Sequence, residues 1–299
     1  MNRVRQKLHA EEAYRRGLTG KGINVAILDT GICRHPDFGD RILGFYDFVN
    51  RKNSIYDDAS HGTHVAGILG GSGRSSGGIY RGIAPECGLI SLKVLDQWGQ
   101  GKLEHLLAAL EWVKNHHSEY GIRILNISAG TTKEEGDRDS FRLVRCVEEV
   151  WNAGVTVIVA AGNQGPESES ITVPGNSRKV ITVGSADGFS RRPRWGNASY
   201  SGCGPTQACI CKPEFVVPGT EIVSCHSNWQ RGRCYAVKSG TSMAAPAVAG
   251  CAALVLQQEP DLSNIQVKMR LKSCAVDLGL PRNRQGWGMP DLRRLIDFV

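Results

Sequence analysis

Short apolar runs rich in β-branched residues alternate along the chain with segments whose apolar residues repeat at helical spacing. The apolar runs predict buried strands of a parallel sheet, because such strands are covered on both faces. They occupy residues 23–28, 89–95, 122–127, 155–160 and 180–183. Helices are predicted between them, most clearly over residues 103–116, and another begins near Ser242. The alternation predicts an α/β protein, with a three-layer α/β/α architecture and a mostly parallel central sheet.

The segments between these elements predict surface loops rather than domain linkers. The glycine- and serine-rich stretch 70–78 is followed directly by another strand pattern, and residues 203–213 are similarly loop-like. Residues 291–298 predict a short closing helix. A chain of 299 residues with 41% hydrophobic content can bury one large core. We therefore expect a single domain over residues 1–299.

The charge balance is basic, with 36 Lys and Arg against 29 Asp and Glu, a net charge of +7. The basic residues are dispersed in short groups without interleaved aromatic residues, which is typical of a solvated surface rather than a nucleic-acid interface. Nucleic acid is therefore not an expected partner. No apolar run approaches the roughly 18 residues that span a membrane, so a membrane is not an expected partner either. Residues 1–21 are too polar for a secretory signal peptide. We expect a cytoplasmic protein, or a secreted one if the chain was trimmed from a longer precursor.

Ten cysteines would stay reduced in a cytosol, so they are first interpreted as small buried hydrophobic residues. Five of them cluster in the last third of the chain, without the two-residue spacing of a zinc knuckle. They are Cys203, Cys209, Cys211, Cys225 and Cys234. Metal binding by this cluster and a local disulfide in an oxidising compartment both stay open.

Three segments that are far apart in the sequence carry residues suited to acyl transfer. Asp29 ends an apolar strand and is followed by Thr-Gly, so its carboxylate can face the crevice at the end of the sheet. Alone, this Asp would be interpreted as a turn or cap residue, because a strand-ending Asp more often has that role. Ser242 lies between Gly-Thr and a helix of small residues, where it is either a helix cap or a nucleophile beside free N–H groups.

Two histidines in the segment 61–67 fall near one face of a predicted helix. A zinc site formed by His61 and His64 is disfavoured, because the zinc protease pattern needs a four-residue separation and a neighbouring Glu. Nucleophilic attack by a hydroxyl instead needs a base to accept its proton and a carboxylate to hold that base. The three segments together supply all of these groups.

With these segments in the order Asp, His and Ser, the chain resembles the subtilisin-like serine proteases of the S8 family, whose known order is the same. The resemblance extends from Gly20 to the last helix and implies a subtilisin-like fold and a serine endopeptidase. It also implies that Ser242 is the nucleophile, His61 the general base and Asp29 the residue that orients it. His64 is then a structural neighbour.

The same resemblance implies an oxyanion donor and a substrate cleft. The segment Ala-Ala-Gly-Asn ending at Asn163 follows a buried strand and is similar to the family's oxyanion segment. Two further segments are similar to the edge strands that bind an extended peptide. The implied substrate-binding residues are Gly99, Gly101, Leu103, Leu106, Ser128, Ala129, Gly130, Ala160 and Gly162.

Substrates are therefore expected to be proteins or peptides, cleaved with broad specificity. No acidic residue matches a position that would select a basic side chain, and Gln164 occupies a rim position that is acidic in some relatives. We expect a weak apolar preference for the residue before the scissile bond.

Calcium is the cofactor implied by the family, in a structural role and without a part in the chemistry. Asp37 matches one ligand, but the loop 70–78 is longer than the family pattern and lacks an expected Asn. Two other functions remain possible: a catalytically silent binding module, and a thiol or metal protein based on the cysteine cluster. The sequence does not indicate an oligomeric state.

Overall fold

A seven-stranded parallel sheet forms the centre of the computed structural model, which describes residues 1–129, 137–188 and 199–296. Its strands lie in the order β2-β3-β1-β4-β5-β6-β7. In chain order they are β1 Asn24–Asp29, β2 Ile42–Asp47, β3 Gly88–Lys93, β4 Ile122–Ile127, β5 Thr156–Ala160, β6 Ile181–Ser185 and β7 Phe215–Val217. Two antiparallel pairs of described strands lie outside this sheet: β8 Ile222–Cys225 with β9 Tyr235–Lys238, and β10 Ala275–Val276 with β11 Met289–Pro290.

Helices cover both faces of the sheet. The described α-helices are α1 Asn2–Leu8, α2 Ala10–Arg15, α3 His61–Gly70, α4 Leu103–His116, α5 Arg138–Asn152, α6 Thr241–Gln258, α7 Asn264–Ser273, α8 Arg282–Gln285 and α9 Leu292–Ile296. Helices α3 and α6 pack against each other and against the sheet, as do α4 and α5. The predicted three-layer α/β/α fold is confirmed. Among the described helices, none combines the length and hydropathy needed to cross a bilayer.

Helix α6 is the central element of the core. It contacts strands β1, β4, β5, β6 and β7, and nearly all of its residues are buried. Its composition of Ala, Gly and other small residues explains this position, because small side chains let a helix lie close to a sheet. The helix therefore holds its N-terminal residue pair, Thr241 and Ser242, at a fixed place relative to the strand ends.

The five predicted strands all form, with one difference at the end of β3. The apolar run 89–95 predicted a longer strand, but the N–H groups of Val94 and Leu95 both donate to the carbonyl oxygen of Asp29. This shared acceptor ends the ladder and turns the chain away from the sheet. The edge strands β2 and β7 were not predicted, because β2 is largely half-buried and β7 has only three residues.

Strand β1 lies between β3 and β4, and the chain order reverses at this point of the sheet. Parallel α/β sheets bind ligands outside the carboxyl ends of the strands at such a position. Asp29 ends β1, and Ser128 follows directly after β4. Two of the predicted site residues are thus brought to the same edge by the sheet itself.

Candidate active site

Asp29 and His61 form a hydrogen-bonded pair at the end of β1. Asp29 is fully buried, and its Oδ1 lies 2.7 Å from Nδ1 of His61, the first residue of α3. The same Oδ1 accepts the N–H of Thr30 at 2.7 Å. Because an ionised carboxylate only accepts hydrogen bonds, Nδ1 of His61 carries the proton and Nε2 is left as the basic nitrogen.

The surroundings of His61 favour its protonated form. Burial by itself lowers the pKa of His61, but the charge and hydrogen bond of Asp29 outweigh this effect and raise the pKa above its ordinary value. Lys238 lowers the pKa and Asp57 raises it, both by smaller amounts. The side chain of His61 is still 27% exposed, so its ring is accessible from the cleft.

Ser242 lies in the first turn of α6, where backbone N–H groups have no partner four residues earlier in the helix. Its hydroxyl donates to the carbonyl oxygen of Ser128 at 2.9 Å. Within the described part of the chain, no hydrogen bond joins Ser242 to His61. Both side chains nevertheless line the same cleft, which also contains Asn163.

Asn163 follows β5 and is tied to the start of α6. Its Oδ1 accepts the backbone N–H of Thr241 at 2.9 Å and the Thr241 hydroxyl at 3.2 Å. The amide oxygen is thus directed at Thr241. The NH₂ group of Asn163 is therefore the part of the side chain that can donate hydrogen bonds into the cleft. The cleft has a volume of about 930 Å³.

Every described residue of the predicted substrate-binding set lines this cleft. These residues are Gly99, Gly101, Leu103, Leu106, Ser128, Ala129, Ala160 and Gly162. Gly130 lies outside the described residues. Gln164 also lines the cleft. With His61 and Ser242 in the same cleft, the fold brings together residues that are 181 positions apart in a chain of 299.

Thr172 and Lys238 are among the cleft residues that were not predicted from the sequence. Thr172 packs directly on Gly162, where an added Cβ would meet Thr172 Cγ2 at 2.4 Å. Gly162 also has a φ of +94°, which favours glycine. Lys238 lies four residues before Ser242 and brings a positive charge to the side of His61. Neither residue belongs to a motif that a single sequence reveals.

His64 is placed away from the cleft chemistry, as the resemblance implied. It is fully buried, and its Nε2 lies 3.0 Å from the carbonyl oxygen of Ile222 and 3.1 Å from that of Ala236. Burial lowers the pKa of His64 to about 3, so the ring is neutral and Nε2 donates to both carbonyls. His64 thereby connects α3 to the β8–β9 hairpin.

The surroundings of Asp37 do not fit a calcium ion. Its Oδ1 accepts the backbone N–H of Ser75 at 2.9 Å, and its Oδ2 accepts the Tyr235 hydroxyl at 2.8 Å. The thiol of Cys225 also donates to Oδ2, at 3.6 Å. Calcium requires several oxygen ligands without competing donors, and a thiol is a poor ligand for it. Asp37 is therefore a hydrogen-bond acceptor here, and a calcium site elsewhere stays a prediction.

The clustered cysteines lie in different surroundings. Cys203 is buried, and its thiol donates to backbone carbonyls at residues 166 and 167. Cys209 and Cys211 are exposed, whereas Cys225 is buried beside Asp37. Among the described residues, the one group of three possible metal ligands is His35, Asp37 and Cys225, and its atoms already hydrogen-bond to protein groups. This arrangement does not support a metal protein based on the cysteine cluster.

A family model described as the subtilase family, Peptidase_S8, matches residues 20–288. Serine protease AprX of Bacillus subtilis (strain 168) is 45% identical over 283 residues, with 89% of this chain and 64% of AprX covered. Subtilisin BL of Lederbergia lenta is 37% identical over 273 residues, covering 91% of this chain and 90% of that protein.

Solved structures agree with the sequence matches. The crystal structure of a cold adapted subtilisin-like serine proteinase superposes with a TM-score of 0.72 at 29% identity, covering 91% of this chain and 88% of the other. A structure described as S41 psychrophilic protease gives a TM-score of 0.77 at 30% identity, with 92% of each chain covered.

Proposed function

Because the chain belongs to the subtilase family, peptidase S8, we propose that it is a serine endopeptidase that hydrolyses peptide bonds in proteins and peptides. The observation that carries the proposal is the 2.7 Å contact between His61 Nδ1 and Asp29 Oδ1, in a cleft that also contains Ser242 and Asn163. We further propose that residues 1–299 act as one peptidase domain, which the family match over residues 20–288 supports.

Ser242 is the proposed nucleophile and His61 its general base. In the free enzyme the Ser242 proton points to Ser128, so the hydroxyl rotates towards Nε2 of His61 when substrate is bound. Nε2 then accepts the proton while Oγ bonds to the carbonyl carbon of the scissile bond. Asp29 keeps the proton on Nδ1 and stabilises the positive ring that forms.

The oxyanion created by this attack needs hydrogen-bond donors that are already in place. Asn163 supplies its NH₂ group, which is fixed because its amide oxygen is held by Thr241. The N–H of Ser242, in the first turn of α6, is the second donor. His61 next donates its proton to the leaving amine, and a water molecule activated by His61 hydrolyses the acyl-enzyme.

The lining of the cleft supports the binding of an extended peptide. The described residues of the predicted substrate segments line the cleft, and the small ones among them allow a peptide backbone to approach closely. Leu103 and Leu106 supply apolar surface for a residue further upstream. The wall formed by Ser128, Ala129 and Ala160 is uncharged, which supports a broad specificity with a weak apolar preference before the scissile bond.

The test compares wild type with Ser242→Ala on casein and on chromogenic peptides, with and without a serine-directed covalent inhibitor. We expect wild type to cleave and Ser242→Ala to lose about 10⁶-fold in kcat, the size of loss known for subtilisin itself. Ser273→Ala, at the exposed end of α7, is the matched control and should retain full activity. A folded wild type that cleaves none of the substrates would point to a silent binding module.

The same peptides test specificity. Peptides with Leu, Met or Phe before the scissile bond should be cleaved faster than those with Arg or Lys. The reverse order would contradict the proposed apolar preference while leaving the nucleophile assignment intact.

A further inference from the structure

A second buried carboxylate, that of Asp57, joins the turn after β1 to the start of α3. Asp57 is only 8% exposed. Its Oδ1 accepts the Thr30 hydroxyl at 2.8 Å and the N–H groups of Ser60 at 2.8 Å and Ala59 at 3.2 Å. Its Oδ2 accepts both the N–H and the hydroxyl of Thr63, at 2.8 and 2.6 Å. The Asp57 side chain thus accepts five hydrogen bonds, from the residue after Asp29 and from residues before and after His61.

Thr30 and Thr63 connect the turn after β1 to α3 in opposite directions. Thr30 follows Asp29, and its hydroxyl oxygen accepts the N–H of Gly62 at 2.9 Å. Thr63 lies on α3, and its hydroxyl oxygen accepts the N–H of Cys33 at 3.1 Å. An ionised carboxylate only accepts hydrogen bonds, so the hydroxyl protons of Thr30 and Thr63 both point to Asp57. The two hydroxyl oxygens are then free to accept the N–H groups of Gly62 and Cys33. Each link therefore depends on Asp57.

Asp57 also caps α3 from outside the usual position. The N-cap residue Ser60, directly before the helix, has a left-handed φ of 60°, and its side chain does not cap the helix. Its hydroxyl oxygen accepts the N–H of Ser227 instead. Asp57 satisfies the N–H groups of Ser60 and Thr63, and its charge is favourable at a helix N-terminus. The position of His61, the first residue of α3, thus depends on this carboxylate.

The junction between the two elements has little free space. A Cβ added at Gly62 would lie 2.1 Å from the carbonyl oxygen of Gly31 and 3.1 Å from Cβ of Asp29. A small displacement of α3 would therefore change the distance between His61 and Asp29 directly.

We propose that Asp57 is a positioning residue of this peptidase, which holds Thr30 and Thr63 so that Asp29 and His61 keep their 2.7 Å hydrogen bond. This inference rests on the proposed function. Asp57 itself does not reach the substrate in the mechanism given above. Its role is to fix the geometry in which His61 accepts the Ser242 proton.

The positioning role of Asp57 can be recognised by the effect of its charge on the pKa of His61. The groups that act on His61 are Asp29 from β1, Asp57 from the loop before α3, Lys238 from the end of β9 and the neutral His64 on α3 itself. Asp57 raises the pKa of His61. Removal of its charge should therefore lower that pKa, whereas a general loss of folded protein would leave it unchanged.

The experiment compares Asp57→Asn with Asp47→Asn in the full chain. Asp47 is a matched control, because its carboxylate accepts hydrogen bonds from Val49, Asn50, Lys52 and Tyr56 but from no described residue of α3 or of the turn after β1. Activity is expressed per active site, counted with a serine-directed covalent reagent. We expect Asp57→Asn to lower kcat by up to about 100-fold with KM close to wild type, the effect of misplacing a catalytic group. The acid limb of its pH profile should move to lower pH.

Asp47→Asn should retain the wild-type kcat and pH profile. A wild-type kcat per active site in Asp57→Asn, or an acid limb that does not move, would overturn the proposal. If Asp57→Asn does not fold, the pair Thr30→Val and Thr30→Ser decides. Loss of kcat in Thr30→Val with rescue by Thr30→Ser supports the positioning role, and equal kcat in both variants contradicts it.

A readout without hydrolysis separates this proposal from the proposed function. The ring of His61 is titrated by NMR in the Ser242→Ala background, with and without Asp57→Asn. A lower pKa of His61 and a changed Nδ1 proton resonance support the role of Asp57, even if no peptide substrate is ever cleaved. An unchanged His61 titration overturns it, even if wild type proves to be an active peptidase.

Discussion

The amide oxygen of Asn163 accepts the backbone N–H of Thr241 at 2.9 Å, so the loop after β5 is fixed to the residue directly before Ser242. The fixed amide leaves its NH₂ group as an oxyanion donor that needs no reorganisation during the reaction. We predict that Asn163→Ala lowers kcat by about 100- to 1,000-fold with little change in KM, the range known from subtilisin itself. Steady-state kinetics on one peptide would measure this.

The control for this prediction is Asn152→Ala, at the exposed C-terminal end of α5, where the side chain accepts a hydrogen bond from Lys179. It should retain full kcat. A rise in KM without a loss of kcat in Asn163→Ala would instead show that Asn163 binds the ground state.

Asp29→Asn keeps the shape of the side chain but removes its charge. The amide can donate to Nδ1 and so favours the wrong tautomer of His61, in which Nε2 carries the proton and cannot act as a base. We expect kcat to fall about 10⁴-fold, as in other serine proteases. Thermal denaturation should show that the variant is folded. Activity within tenfold of wild type would exclude the assigned role.

The pH dependence of activity should follow His61. The base must be neutral, and its pKa is raised by Asp29, so kcat/KM should fall as the pH drops through a pKa above the ordinary value of about 6.5. Lys238 lowers this pKa. Lys238→Ala should thus move the acid limb to higher pH, the opposite direction to Asp57→Asn.

Salt provides an internal check of this electrostatic effect. The limb should be measured at low and high ionic strength, since screening reduces the influence of a partly exposed charge. A shift of the limb to lower pH in Lys238→Ala would contradict the assignment.

Asp37 should stabilise the fold without calcium. Asp37→Asn removes the negative acceptor for Ser75, Tyr235 and Cys225, and each buried donor left without a partner costs about 1–3 kcal/mol. The loss of melting temperature should be the same in excess calcium and in excess chelator. A loss that appears only with calcium would show that Asp37 is a metal ligand after all.

A buried ion cluster beside β7 should be critical for stability. Glu214 accepts hydrogen bonds from the fully buried ammonium of Lys212 at 2.8 and 2.9 Å and from Lys268 at 2.9 Å. Glu214→Gln leaves two positive charges together without their counter-ion, so we expect a loss of about 3–5 kcal/mol in the free energy of unfolding. Chemical denaturation would measure it.

The comparison for Glu214 is Glu149→Gln, which breaks ion pairs with Lys114 and Arg145 at the surface, where the Glu149 side chain is 35% exposed. Its effect should not exceed about 1 kcal/mol. Equal effects of the two substitutions would contradict the distinction between buried and exposed pairs.

Much of the fold could be predicted from local patterns. The strands that form the interior of the sheet are continuous apolar runs, because both of their faces are covered, and this pattern is visible in the sequence. Strand β2 was not predicted, because it is an edge strand with largely half-buried residues and lacks a continuous apolar run. Its tertiary contacts define it rather than its own hydrophobic pattern. The end of β3 escaped prediction for a similar reason, since it is set by the shared acceptor on Asp29.

The sequence by itself determined the layered α/β architecture and the residues that the motifs name, including Asp29, His61 and Ser242. Periodicity and short motifs are properties of neighbouring residues, and they survive without knowledge of the fold. Only the tertiary structure decided that Asp37 accepts protein donors, that Thr172 packs on Gly162 and that Asp57 connects the two catalytic elements. These relationships join segments that are distant in sequence or depend on side-chain direction, and hydrogen bonds and packing at such sites exist only once the chain has folded.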